Sequence, residues 1–215
     1  MCVGATQGIG RAIALHIGTK FSANVTIIGR NEEEGSKVLS ELRSRNPQGV
    51  HTMIKCDATL MKNIVKSCDT IKNSMDTINY LVLSQGIASL SGRQETKEGI
   101  DVKLALHYYG RIQFINSLLP LLRNTSKPRE TESHDPRVLS ILSGGVHSPY
   151  THLDDLSLKK NFSLINAANA AGFYNDLALD LLATKEKEEG FRTTFIHAAP
   201  GTIRTTCNIY NLENQ

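Results

Sequence analysis

Two kinds of residue in this sequence could do chemistry by virtue of type and place. One is a set of glycines spaced to bring backbone close to a phosphate. The other is a scatter of arginine, serine, histidine and tyrosine side chains able to hold an anion or handle a proton. Gly4-Ala5-Thr6-Gln7-Gly8-Ile9-Gly10 carries glycines in the spacing G-x-x-x-G-x-G and runs directly into the helical pattern Arg11 to Gly18. A glycine turn that ends a strand and opens a helix leaves the first helical N–H groups without partners and lets backbone approach a pyrophosphate. On the glycines alone, a phosphate cradle and a plain tight turn are equal alternatives. Arg30, just after the apolar run Val25-Thr26-Ile27-Ile28, is either a phosphate clamp through planar, charge-assisted hydrogen bonds or a solvated loop arginine. Cys2, Cys56, Cys68 and Cys207 show neither CxxC nor metal-ligand spacing, so they read as reduced thiols and no metal is expected.

The elements that must position these residues alternate along the chain. Val25–Ile28, Thr52–Cys56, Tyr80–Leu83, Val138–Leu142 and Thr193–His197 read as short buried strands, several of them ended by glycine or proline. Between them, Asn31–Arg45, Thr59–Asn73, about Glu98–Leu122 and Ser163–Thr184 have helical patterning. Glu32, Glu33 and Glu34 open the first of these, and Arg43 and Arg45 close it, the charge polarity a helix dipole favours. Pro120 is expected to end the third. Strands alternating with helices of this length imply an α/β, doubly wound parallel sheet in a single domain over 1–215. Two stretches fall outside the rhythm: 124–136, polar and proline-bounded, reads as a surface loop, and 147–160 as an irregular stretch between a strand end and a helix.

Composition narrows the function. The chain has 215 residues, 40% of them hydrophobic and 21% charged, with a net charge of +3. There is no basic stripe for nucleic acid and no apolar run long enough for a membrane-spanning helix, so neither partner is expected. The segment MCVGATQGIG lacks the basic and apolar regions of a secretory leader, which gives a cytoplasmic expectation. In a dinucleotide-binding sheet, the end of the second strand faces the adenosine ribose; an acid there suits NAD, and a base suits the 2′-phosphate of NADP. Here that strand ends Gly29-Arg30-Asn31, so the expected cofactor is NADP(H).

In order along the chain, these residues resemble the short-chain dehydrogenase/reductase family, whose fold is Rossmann-type. Gly4 to Gly10 looks like its TGxxxGIG turn, which implies cofactor contacts from Gly4, Thr6, Gln7, Gly8, Ile9 and Gly10. Cys56-Asp57-Ala58 resembles the motif whose Asp meets adenine. Ser84-Gln85-Gly86 stands in the place of NNAG and keeps its glycine. Pro200-Gly201-Thr202-Ile203-Arg204-Thr205 resembles the PGxxxT segment, which implies that Gly201, Thr202, Ile203 and Thr205 lie over the nicotinamide.

The resemblance also implies a catalytic set, and here the sequence departs. The family serine aligns with Ser143 and the family asparagine with His107. The tyrosine position is Phe162 and the lysine position Asn166; no Y-x-x-x-K occurs downstream of Ser143. Phe162 has no proton to give, whereas Asn166 can still hydrogen-bond a ribose hydroxyl. His107 could carry a proton near neutrality or be a structural histidine, and Ser143 could be catalytic or cap a turn.

Three functions remain open. The first is an NADP-dependent oxidoreductase moving hydride to or from a small carbonyl or alcohol. The second is an NADP-binding protein without standard redox activity. The third is an NADPH-dependent imine reductase or cyclase, for which no phenol is needed. Ala167, Ala168, Ala170, Ala171 and Gly172 would allow close helix packing, either in a homodimer through the 163–184 helix or within the subunit. Only Met1, Cys2 and Val3 precede Gly4, and the chain stops soon after Thr205, so the sheet is expected to be truncated at both ends. A central strand that short is expected to expose backbone and core.

Overall fold

The computed structural model describes residues 1–126, 135–203 and 205. Six parallel strands form one sheet in the order β3-β2-β1-β4-β5-β6. They are β1 (Cys2–Val3), β2 (Val25–Gly29), β3 (His51–Lys55), β4 (Tyr80–Leu83), β5 (Arg137–Ile141) and β6 (Thr194–Ala198). Alternate residues feed the two faces. Val3, Ile28 and Leu83 join α3 (Met61–Lys72) and α5 (Gly110–Ser126) in one core. Cys2, Ile27 and Val82 join α1 (Gly8–Lys20) and α2 (Glu32–Arg45) in the other. Burial on both faces is why β2 reads as an unbroken apolar run instead of an alternating one. The doubly wound sheet is thus as the sequence predicts.

β1 is short, yet it does not expose the sheet centre. Cys2 and Val3 are each 1% exposed. Chain on either side extends the ladder: Val82 N–H donates to Met1 O at 2.9 Å, Gly4 N–H to Ile28 O at 2.9 Å, and Ser84 N–H to Val3 O at 3.0 Å. A buried backbone group that finds a partner carries no penalty, whatever the strand's nominal length.

The predicted long helix is built in three pieces: α4 (Val102–Leu104), a π-helical turn Ala105–Tyr109, and α5. Asp101 caps the start, accepting Lys103 and Leu104 N–H at 3.0 and 3.1 Å. Pro120 does not end α5, which continues to Ser126. Leu121 and Leu122 are buried, and Thr125 Oγ lies 3.1 Å from the Ile78 and Leu121 carbonyls, so tertiary contacts carry the last turn past the missing donor. The last helix, α6 (Leu164–Glu188), is capped by Ser163 Oγ, which accepts Asn166 N–H at 3.0 Å. Among the described residues no helix is long and apolar enough to cross a membrane. Cys2, Cys56 and Cys68 are free and buried; Cys207 lies outside the described residues.

Candidate cofactor site and active site

Strand order reverses between β1 and β4, and a doubly wound sheet binds ligands in the crevice beyond the strand ends at that reversal. Gly4 leaves β1 at φ +74°, and a Cβ on it would stand 2.5 Å from Gln85 N. A Cβ on Gly10 would stand 2.2 Å from Ser84 Oγ and 2.5 Å from Gly4 O. Ser84 Oγ donates to Val3 O at 2.8 Å, which ties the β4 end to the glycine turn. These two glycines therefore let turn, helix and neighbouring strand close on one another. Gly8 is different: at φ +58° it adopts a backbone that side chains avoid, and a Cβ there would meet nothing nearer than Thr205 at 3.6 Å. Gln7 precedes α1 with extended backbone and no side-chain cap, and no acid lies in the first turn. The first-turn donors and positive dipole end are thus left for an anion. The cradle fits a dinucleotide pyrophosphate.

Arg30 sits at the end of β2, exposed and without an ion pair among the described residues. Thr6 packs on the same strand end: a Cβ on Gly29 would stand 2.7 Å from Thr6 Cγ2. Asn31 is the N-cap of α2, its Oδ1 accepting Glu34 N–H at 3.1 Å. The neighbouring acids have partners of their own, Glu32 with Lys55 at 2.5 Å and Glu34 with Lys37 at 2.7 Å, leaving Arg30 to face solvent. Asp57 Oδ1 accepts both Thr59 N–H at 3.0 Å and Thr59 Oγ–H at 2.8 Å, which fixes the carboxylate at the β3 exit. Gly201, Thr202 and Ile203 are exposed, and Thr205 lies against Gly8. Arg204 lies outside the described residues.

Ser143 follows β5 and is held by its backbone. His197 Nε2 accepts Ser143 N–H at 3.3 Å, and His147 Nδ1 lies 3.0 Å from Ser143 O. Both imidazoles meet Asp176 on α6: His197 Nδ1 at 2.5 Å and His147 Nε2 at 3.2 Å. Burial lowers the His197 pKa while Asp176 acts to raise it. Ser143 Oγ is buried without a hydrogen-bond partner among the described residues. Gly172 makes room for this group, since a Cβ on it would stand 2.5 Å from His147 and 2.6 Å from Ser143 Oγ.

His107 lies in the π-helical turn, where such turns often serve function. Its Nε2 accepts Ile87 N–H at 3.1 Å, an approach that Gly86 permits because a Cβ on it would stand 3.1 Å from that nitrogen. Burial, then the nearby Arg111 and Lys103 charges, push its pKa down to about 3. A neutral imidazole with Nε2 already engaged is an acceptor and not a proton donor at neutral pH. His107 borders a cavity of about 280 Å³ together with Lys103, Ile87, Leu164 and Ala167. Ser143 is not among the residues that line this cavity. The Phe162 ring lies beneath the Lys103 ammonium, 5.4 Å from ring centroid to Nζ. Asn166 donates from Nδ2 to Asn161 O at 2.7 Å, which leaves its carbonyl oxygen to accept.

Arg111 is a further charge that sequence reasoning passes over. It is 1% exposed and donates to Leu83 O at 3.2 Å, Ser140 Oγ at 2.8 Å, Ile141 O at 2.9 Å and Gln85 O at 2.6 Å. Burial pulls its pKa down to about 9. The guanidinium pins together the β4 and β5 ends that the site stands on. Asp176, His147 and His197 were likewise missed: they come from three separate segments, and no local spacing joins them.

Residues 1–152 match the family model for short chain dehydrogenases. The oxidoreductase andH of Emericella variicolor is 35% identical over 204 residues, covering 94% of this chain and 57% of that protein. An oxidoreductase of Emericella nidulans is 38% identical over 210 residues, covering 97% of this chain and 58% of its own length. The chain thus spans under two thirds of the curated relatives it matches. A solved metagenomic short-chain oxidoreductase in complex with NADP superposes with a TM-score of 0.70 at 18% identity, over 94% of this chain and 81% of that one. The family model matches most of the chain and these relatives match nearly all of it at 35% and 38% identity, so the chain belongs to the short-chain dehydrogenase family.

Proposed function

We propose that this chain is the dinucleotide-binding unit of an NADP(H)-dependent oxidoreductase that moves hydride to or from a small carbonyl or alcohol. The observation that carries the reading is the open cradle at Gly8, with Arg30 exposed at the end of the neighbouring strand and without an ion pair among the described residues. Gly4, Gly8, Ile9 and Gly10 would hold the pyrophosphate, with Thr6 and Gln7 beside it. Arg30 and Asn31 would meet the 2′-phosphate and Asp57 the adenine. Ser84, Gly86 and Asn166 would face the nicotinamide ribose, and Gly201, Thr202, Ile203 and Thr205 would cover the ring. The bound nicotinamide supplies or accepts hydride. NADP over NAD rests on Arg30 and not on fold likeness, because a Burkholderia phymatum protein of the same fold was solved with NAD.

A second reading keeps the cofactor and changes the substrate to an imine, and Phe162 with Asn166 favours it. Hydride addition to an iminium yields a neutral amine, so neither the missing phenol nor its lysine is needed. Fluorescence titration with NADPH and NADH tests the shared part. Arg30→Ala is expected to weaken NADPH by tenfold or more and leave NADH unchanged, since charge-assisted hydrogen bonds contribute about 1.5–3 kcal/mol. Equal loss for both cofactors would remove the clamp. Turnover of imines with none of carbonyls would select the second reading.

A further inference from the structure

The cavity between the segment after β4 and the start of α6 has mostly apolar walls, Ile87, Leu90, Leu164 and Ala167 among them. Its polar groups are Ser89, His107 and Lys103. Two of these already receive hydrogen bonds: Ser89 Oγ accepts Ser91 N–H at 3.2 Å, and His107 Nε2 accepts Ile87 N–H. The third is a lysine only 6% exposed. Its ammonium donates to Ser91 O at 2.8 Å and Gly92 O at 3.1 Å, which uses two of its three N–H groups. Beyond them lies the Phe162 face. The nearby Asp101 carboxylate gives its oxygens to the backbone N–H groups of Gln94, Lys103 and Leu104. The ammonium is therefore held by two neutral carbonyls and a ring face, with the Asp101 charge acting on it and one N–H without a hydrogen-bond acceptor among the described residues.

We propose that Lys103 is the polar anchor of this cavity, binding the carbonyl or carboxylate oxygen of a compact, otherwise apolar ligand. Burying an ammonium is costly unless something repays it, and two carbonyls solvate it less well than water does. A ligand oxygen would supply the third hydrogen bond and, if anionic or polarised, add to the counter-charge that Asp101 provides. A substrate oxygen docked here would meet a group from α4 and not one from the loop before α6, where Phe162 carries no hydroxyl. Burial lowers the Lys103 pKa, against the Asp101 charge, which acts to raise it. As a statement about substrate, this rests on the oxidoreductase reading; as a statement about binding, it does not.

Benzoate is a suitable probe, with benzyl alcohol as its uncharged counterpart. In the native protein with ¹³C-labelled lysine side chains, benzoate should move one lysine Cε resonance, with and without NADPH. By calorimetry, Lys103→Gln should weaken benzoate by tenfold or more, Lys103→Arg by less than threefold, and benzyl alcohol should respond to neither. Benzoate that moves no lysine resonance, or that binds Lys103→Gln as tightly as native protein, overturns the proposal. Should a variant fail to fold, the native spectrum decides alone. Absence of NADPH binding would count against the oxidoreductase reading while the benzoate titration still judged Lys103.

Discussion

The Ile87 N–H points at His107 Nε2, the nitrogen that a second proton would have to occupy. Protonation there replaces a hydrogen bond with a clash of two donors inside a site that already holds the Arg111 charge. With the folded pKa near 3 against an ordinary value of 6.5, the unfolded chain binds more protons between those limits. Stability is then fully present above about pH 6.5 and falls as pH drops towards 3, with a slope of at most about 1.4 kcal/mol per pH unit from this one group. We expect the His107 Cε1–H signal to hold still in NMR spectra from pH 8 to 5; a midpoint near 6.5 would refute the assignment. In the sequence the imidazole stands as a catalytic candidate or a structural histidine, from its alignment with the family asparagine. Its protonation was not legible there, because that depends on Arg111 and on a backbone N–H that chain position alone does not bring near. The same holds for Ser143, whose place after β5 was readable while the His147–Asp176–His197 grip on its backbone was not.

Among the elements, α3 shows a cap assembled at long range. Leu60 stands at its N-cap position without a capping side chain, and the Glu98 carboxylate takes Met61 N–H at 2.6 Å and Lys62 N–H at 3.1 Å instead. A carboxylate at this end satisfies orphan donors and meets the positive end of the helix dipole. Glu98→Ala should cost about 1 kcal/mol, read as a lower thermal midpoint, with Glu98→Gln retaining part of it. An unchanged midpoint for the alanine variant would show that water caps the helix equally well. The strands were easy to read because burial on both faces leaves runs such as Val25–Ile28 without polar interruption. The 98–122 helix was harder. Asp101 sets its start three residues later than the pattern suggested, and no residue pattern signals a π-helical turn, since one inserted residue only shifts the apolar face. Pro120 misled for a related reason: local propensity gives way when Leu121 and Leu122 are buried.

At the scale of the molecule, α6 faces both ways. Ala167, Ala170 and Ala171 are at most 3% exposed and pack inside the subunit with Leu104, Tyr150 and Leu158. The small-residue stripe therefore brings α6 close to its own chain, with Ala168 left at the cavity rim. One turn apart on the other side, Leu177 and Leu181 are 55% and 54% exposed. Isolated exposed leucines are ordinary, but an i, i+4 pair on a 25-residue helix gives a second copy of the chain an apolar ridge to pack against. If α6 forms a homodimer, this ridge and not the alanine face is what it uses. Sedimentation at micromolar concentration should then show a dimer, and Leu177→Glu with Leu181→Glu should return it to monomer while NADPH binding persists. A native chain that sediments as monomer at every concentration would remove the dimer. A dimer indifferent to both substitutions would place the interface on another face.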